Sequence, residues 1–424
     1  MDALTELERL TAEAPDSEEV DLEFSSRELS SISARLTSLE SEADKRSQFF
    51  SSEITLRAIG WVREHLVLSG YSAANPDEAE IIVRFLGSLI DLSTREPASD
   101  TILEIRFRSA NVLYDLGCRA RLELRETALT SAIEGHDRAL EACSAQSSNL
   151  TFARVLTNRA NAVKRFAEML DPPESRAKLR EVVADLEKVL TLIDPTEVPY
   201  EAITTYMNLG NTFGQIALTA SGESQKEALM ASLSSHDSGL ALDNGDEDLA
   251  SIVATTQMNR ASTLSRLADI TGGNAGRALL IEAVSAYETV LTVRTVDADP
   301  FGWAVTVINQ ANTQLRLARL LGGEEALEAL EKGIRGSNRA IDLLIANERV
   351  AESAAAHLIQ AVLQMELAGV LHGNESRNAL DQAVSGFDKA LEFYDLSTMP
   401  YYWCAATIDR SIAHMMLSDV VEHD

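Results

Sequence analysis

Asparagine recurs in this sequence at a spacing that gives its amide something to do. Asn158, Asn208, Asn259 and Asn309 follow one another at intervals of 50, 51 and 50 residues. Asn161, Asn211 and Asn312, with Asn111 before them, form a second series three residues further on in the same register. Arg165, Arg266 and Arg316 fall four residues beyond that. A side-chain amide donates and accepts at once, so a ladder of amides can pair with the N–H and C=O groups of an extended peptide whatever its sequence. Guanidinium groups beside the ladder can pair with acidic or C-terminal carboxylates. Asn is a mediocre helix former because its amide competes for the backbone, so repeated use in mid-helix calls for a reason. A second reason stands beside the first: each Asn can bond to the adjacent helix and fix the stacking. The arginines likewise have an alternative use in surface ion pairs, worth about 0–1 kcal/mol each.

Other chemistry-bearing groups lead away from catalysis. Ser235-His236-Asp237 contains the letters of a triad, but adjacent residues on a helix point about 100° apart. His236 also sits where other units carry Leu186, Tyr287 and Phe387. The run Gly272-Gly273-Asn274-Ala275-Gly276-Arg277 has turn glycines without the G-K-[ST] ending or the preceding strand of a phosphate loop, and reads as an inter-helix turn. No H-E-x-x-H or G-x-S-x-G occurs. No catalytic residue, cofactor or metal site is expected, although an enzyme with an unrecognised site stays open as a separate class. Cys118, Cys143 and Cys404 lie too far apart for a disulfide framework or a zinc site and read as buried thiols. The net charge of −29 would repel nucleic-acid phosphates. The start of the chain lacks a basic, apolar leader, and no segment carries 18 uninterrupted apolar residues, so a cytoplasmic protein that does not enter a membrane is expected.

The elements that must position the amides are helices. Ala, Leu, Ser and Glu are abundant and aromatics amount to 5%, which suits helix far better than sheet. A small residue recurs at Ala110, Ala160, Gly210, Ala261, Ala311, Ala361 and Ser411, and seven residues later at Gly117, Ala167, Ala217, Ala268, Ala318, Ala368 and Ser418. These positions, called 0 and +7 below, share one side of a helix and let a neighbouring backbone approach. A second helix is marked by Leu129, Leu179, Leu229, Leu280, Leu330 and Leu380, with Leu140, Leu190, Leu240, Leu291, Ile341 and Leu391 about three turns later. Between them come His136, Leu186, His236, Tyr287, Ser337 and Phe387. Breaks such as Pro172-Pro173, Gly272-Gly273 and Gly322-Gly323 divide first from second helices. The amides then occupy positions −2 and +1 of the first helix and the arginines +5, roughly opposite its apolar side at 100° per residue.

The organisation follows. Residues 1–50 form an acidic helical extension, with Ser25 and Glu28 spaced as a capping box before a stripe of Leu29, Ile32, Leu36 and Leu39. Residues 51–99 are a diverged first hairpin with Trp61 in its core, 100–399 hold six hairpins of about 50 residues, and 400–424 are a capping helix and tail. In the last units Ile359 and Val362, then Asp409 and Ile412, replace the amides, with Met365, Met415 and Met416 nearby. They read either as an apolar docking floor or as surface buried by the cap.

The small residue of helix one, with Ala132, Ala139 and Leu140 in helix two, resembles the tetratricopeptide repeat signature over roughly residues 52–420. The common repeat has about 34 residues, so this is a long variant. Trp303 to Leu317 and Ala379 to Leu391 particularly resemble long-unit repeats of bacterial proteins, some joined to or encoded beside caspase-like CHAT proteases. The resemblance implies an all-α, right-handed superhelical solenoid of antiparallel hairpins. Its concave surface would be lined by first helices and would hold a protein or an extended peptide. Asn158, Asn161, Arg165, Asn208, Asn211, Asn259, Arg266, Asn309, Asn312 and Arg316 are the residues expected to bind it. A regulatory partner or proteolytic substrate of a caspase-like protease, in a bacterial defence or signalling pathway, is the alternative that the resemblance implies. Oligomeric state is left open.

Overall fold

The computed structural model describes residues 55–56, 59–60, 62–63, 76–120, 122–143, 148–396 and 399–423. The N-terminal extension and Trp61 lie outside them. Within them the chain is helical throughout, with fourteen α-helices and no strand among the described residues. It divides into two compact units, Met1–Thr219 and Ala220–Asp424.

The first unit holds α1 (Pro76–Ser93), α2 (Asp100–Arg119), α3 (Leu122–Ala142), α4 (Asn149–Ala167), α5 (Pro172–Leu192) and α6 (Pro199–Leu218). Each packs on the next in sequence, and the first helices α2, α4 and α6 also touch one another in turn. The second unit holds α7 (Gly222–Leu240), α8 (Ala250–Thr271), α9 (Gly273–Val293), α10 (Pro300–Leu320), α11 (Gly323–Ala346), α12 (Val350–Val370), α13 (Gly373–Leu391) and α14 (Pro400–His423). There too, consecutive helices pack, and α8, α10, α12 and α14 make a row of first helices.

Local chemistry sets the helix ends. Ser99 and Ser148 cap α2 and α4 by accepting from the backbone N–H of Ile102 and Thr151, and Asp299 accepts from Gly302 N at 2.8 Å ahead of α10. Pro172, Pro199 and Pro300 stand in first turns, where a missing N–H costs nothing. Gly323 and Gly373 open second helices at φ of 57° and 53°, a region that L side chains rarely adopt.

Packing bears out the periodic positions. The residues at position 0 from Ala110 to Ala361 and at +7 from Gly117 to Ala368 are buried, as are the six leucines from Leu129 to Leu380 and the six central residues from His136 to Phe387. The second helix has a small position of its own. Gly135, Ser235, Ala286, Gly336 and Gly386 precede the central residue, and a Cβ on Gly386 would stand 2.9 Å from the Ala361 Cβ, while one on Gly135 would stand 2.8 Å from that of Ala110. In these two hairpins the helices therefore meet small residue to small residue, whereas Gly336 receives Val307.

On α14 the corresponding face is open. Ser411 and Ser418 are exposed, as are Tyr401, Ile408 and Met415. The reading of all three cysteines as buried is corrected here: Cys404 lies on this face and is exposed, and Cys118 and Cys143 are half-buried. No helix of the described residues is long and apolar enough to cross a membrane.

Candidate functional site

In the first unit the amides fall on a shared helical face with further polar residues. Along α4 that face carries Arg154, Asn158, Asn161 and Arg165, and along α6 it carries Thr204, Asn208, Asn211 and Gln215. Both rows have spacing i, i+4, i+7, i+11, which confines them to a sector of roughly 60°. All eight are half-buried or exposed except Asn208, at 7% exposure.

The amides do not share one job. Asn158 donates through Nδ2 to Asn111 Oδ1 at 3.1 Å, and Asn208 Oδ1 accepts from Lys164 Nζ at 3.3 Å, so these two link neighbouring first helices. Burial pushes the half-buried Lys164 ammonium down to about 8, against the pull of Glu168. Asn161 and Asn211 have no side-chain partner among the described residues.

The Asn158 link runs into the core. Asn111 Oδ1 faces His136 Nε2 at 3.0 Å as well as Asn158 Nδ2, so the neutral imidazole donates through Nε2. Burial holds His136 down to about 3, which keeps it neutral over the whole physiological range. A core histidine thus orients Asn111. Asn111 in turn orients Asn158 and leaves its Oδ1 without a partner among the described residues.

A cleft of about 310 Å³ opens on this face, between Phe107 of α2, Ala153, Arg154, Thr157 and Asn158 of α4, Val189 of α5, and Tyr200, Glu201, Thr204 and Thr205 of α6. Arg154 Nε donates to Glu201 Oε1 at 3.2 Å, tying α4 to α6. Thr157 and Thr205 return their hydroxyls to the backbone one turn earlier. The Thr204 hydroxyl is buried and has no hydrogen-bond partner among the described residues. The periodic asparagines point to this face, but of the cleft's residues only Asn158 was legible beforehand. Arg154, Thr204 and Glu201 belong to no periodic series.

In the second unit Asn259, Asn309 and Asn312 are half-buried and likewise have no side-chain partner among the described residues. The arginines are engaged. Arg165 donates to Glu168 at 2.7 Å, and Arg316 pairs with Asp269. For Arg165 burial lowers the pKa but Glu168 outweighs it. Arg266 and Arg316 are both shifted down by burial, the latter also by Arg266 and Arg319 beside it. Ile359 and Val362 pack on the core around Ala311 and Leu363, and Met365 and Met416 pack around Leu380. Met415 is exposed.

Sequence reasoning missed a repeated clasp at position −1 of the first helix. Arg159 meets Asp137, Glu181 and Asp185; Arg260 meets Asp237 at 2.5 Å and Glu282 at 2.8 Å; Arg410 meets Asp388 at 2.8 Å; and Gln360 with Asn338 is the uncharged counterpart. The signal is an Arg 22 or 23 residues after an Asp that follows the central core residue. Asp237 therefore serves Arg260. His236 is buried with neither ring nitrogen hydrogen-bonded among the described residues, and burial pushes it down to about 4. Among the described residues no group of three or more His, Cys, Asp or Glu could hold a metal ion.

No family model matches the sequence, and no curated protein matches it. Solved structures do. A circular tandem repeat protein with a novel repeat topology is 15% identical, with 94% of this chain and 99% of that one covered and a TM-score of 0.32. A signal transduction ATPase with numerous domains from Pyrococcus horikoshii, with a tetratricopeptide repeat sensor, is 12% identical at a TM-score of 0.41; 94% of this chain spans 55% of that one. The tetratricopeptide repeat domain of P58(IPK) is 12% identical, with 93% and 98% covered and a TM-score of 0.27. The helical repeats of this chain are similar in kind to theirs.

Proposed function

We propose that the chain is a non-enzymatic scaffold that binds a protein or an extended peptide along the polar face of its first helices. The observation that carries this is the position of Asn161 and Asn211. They hold the same repeat position on α4 and α6, half-buried, one turn beyond Asn158 and Asn208, with no side-chain partner among the described residues. Mid-helix asparagine costs helix stability, and stacking does not use these two. Asn259, Asn309 and Asn312 present the same chemistry in the second unit. The arginines of the face contribute less, because a ligand carboxylate has to displace Glu168 or Asp269 first. The scaffold gains from pre-organisation: helices already fixed by packing lose little entropy when many weak polar contacts form.

Asn161→Ala combined with Asn211→Ala tests the reading. Affinity capture from the native cell identifies the partner, and binding is then measured with wild type and variant. Loss of affinity with an unchanged melting temperature is expected; undiminished affinity overturns the reading. A caspase-like protease in the eluate would name the partner that the long-repeat resemblance implies.

A further inference from the structure

We infer that the cleft between α4 and α6 is an anchor site for a tyrosyl side chain of the bound partner. The inference rests on the scaffold reading and adds the chemistry of the residue that this site selects. At about 310 Å³ the cleft stands at the lower end of ligand pockets, with room for one large side chain. Its apolar walls are Phe107, Ala153, Val189 and Tyr200, the last 52% exposed at the mouth.

The polar groups fit a phenol better than a plain ring. Asn158 Nδ2 is committed to Asn111, so Oδ1 is available as an acceptor. The buried Thr204 hydroxyl has no hydrogen-bond partner among the described residues, so turning it toward an occupant by a change of χ1 would sacrifice none. A phenol hydroxyl would donate to Asn158 Oδ1 and accept from Thr204 Oγ1. A phenyl ring would leave both unsatisfied. The paired Arg154 and Glu201 leave no uncompensated charge at the rim, which disfavours an ionised side chain.

The test uses N-acetyl-tyrosinamide and N-acetyl-phenylalaninamide as probes of the full chain, followed by methyl NMR titration at Ala153, Val189 and Thr204. The tyrosyl probe should bind about 3–10-fold more tightly, the worth of one modest hydrogen bond. Asn158→Ala should cut the preference to what the Thr204 hydroxyl alone supplies while the phenylalanyl probe still binds, which shows that the cleft has kept its shape. Equal affinities for wild type, or shifts confined to methyls outside the cleft, overturn the inference. Failure of the tyrosyl probe with partner capture intact overturns the anchor and leaves the scaffold reading standing. Selective binding of the probe with no partner captured supports the anchor and counts against the scaffold.

Discussion

Replacing the clasp arginines with methionine should destabilise the protein in a graded order that the geometry sets. Arg159 is 15% exposed and meets three carboxylates; Arg260 is 18% exposed and meets two; Arg410 is 37% exposed and meets one. An exposed ion pair is worth about 0–1 kcal/mol, whereas removing one partner of a buried pair costs about 3–5 kcal/mol because the other charge is stranded. Asp137 and Glu181 are 46% and 36% exposed and can rehydrate, but Asp185 at 19% cannot do so fully. Arg159→Met should therefore cost about 2–4 kcal/mol, Arg260→Met about 1–2, and Arg410→Met at most about 1. Methionine keeps most of the apolar stem, so the difference reports charge more than packing. The pH dependence follows from Asp185. Burial already raises its pKa, with Arg159 opposing that shift. Without Arg159 the folded pKa rises further, so the penalty applies above that pKa and is relieved as acid protonates the carboxyl. The loss in Arg159→Met should accordingly be smaller at pH 5 than at pH 7. Urea unfolding followed by circular dichroism measures the cost, and amide hydrogen exchange in α4 and α5 locates it, since a repeat array need not unfold in one step. An Arg410→Met cost equal to that of Arg159→Met, or an Arg159→Met cost independent of pH, would refute the reasoning.

Two further outcomes follow. His236 is neutral in the fold down to about pH 4, with Asp237 favouring and Arg260 opposing its charge, so the unfolded chain binds its proton first and stability drains as pH falls below about 6.5. By pH 5 that loss is about 2 kcal/mol, and His236→Leu, which copies Leu186 of α5, should flatten the urea midpoint between pH 7 and 5; an unaltered pH slope counts against the account. Gly386→Ala gains up to about 1 kcal/mol of helix propensity but sets a Cβ 2.9 Å from that of Ala361 and 3.3 Å from the His357 carbonyl oxygen. Overpacking should outweigh the gain, for a net loss of about 1–2 kcal/mol in thermal or urea unfolding, and a more stable variant would contradict the close contact.

The hairpins were legible because each copy repeats the same requirement. Ala160, Ala261 and Ala361 fill one kind of contact, and Leu129 through Leu380 another, so comparing copies separates packing from everything else. Periodicity also names the face that carries Asn158 and Asn161. It does not name side-chain partners, because these depend on the offset between neighbouring first helices. That offset emerges in the pairs Asn111 with Asn158, Arg154 with Glu201, Glu168 with Gln215, Asp269 with Arg316, and Arg319 with Glu366, each 47 residues apart. Adjacent first helices are thus displaced by three residues from the 50-residue period, about one turn. Without it, Asn158 and Asn161 looked equivalent, although one bonds across helices and the other does not. Arg159 and Asp137 escaped for another reason: they repeat only as a pair spanning two helices, with the neutral Gln360 and Asn338 interrupting the series.

The same offset decides how the arginines and amides of the face divide their work. Position +8 of one first helix meets +5 of the next: Glu168 with Gln215 at 3.0 Å, Asp269 with Arg316, and then, with polarity reversed, Arg319 with Glu366 at 2.7 Å. A contact whose polarity can reverse serves the junction between helices and is not selected for one sign of ligand. A partner carboxylate that recruits Arg316 has to break its pair with Asp269, which at 51% exposure returns to water, so one exposed pair is exchanged for another at little gain. On the same reading Asn161, Asn211 and Asn312 would break nothing in binding, because their side chains have no partner among the described residues. On the proposed scaffold reading, specificity for charge would therefore be weak along this face, and recognition would fall to backbone pairing by the amides.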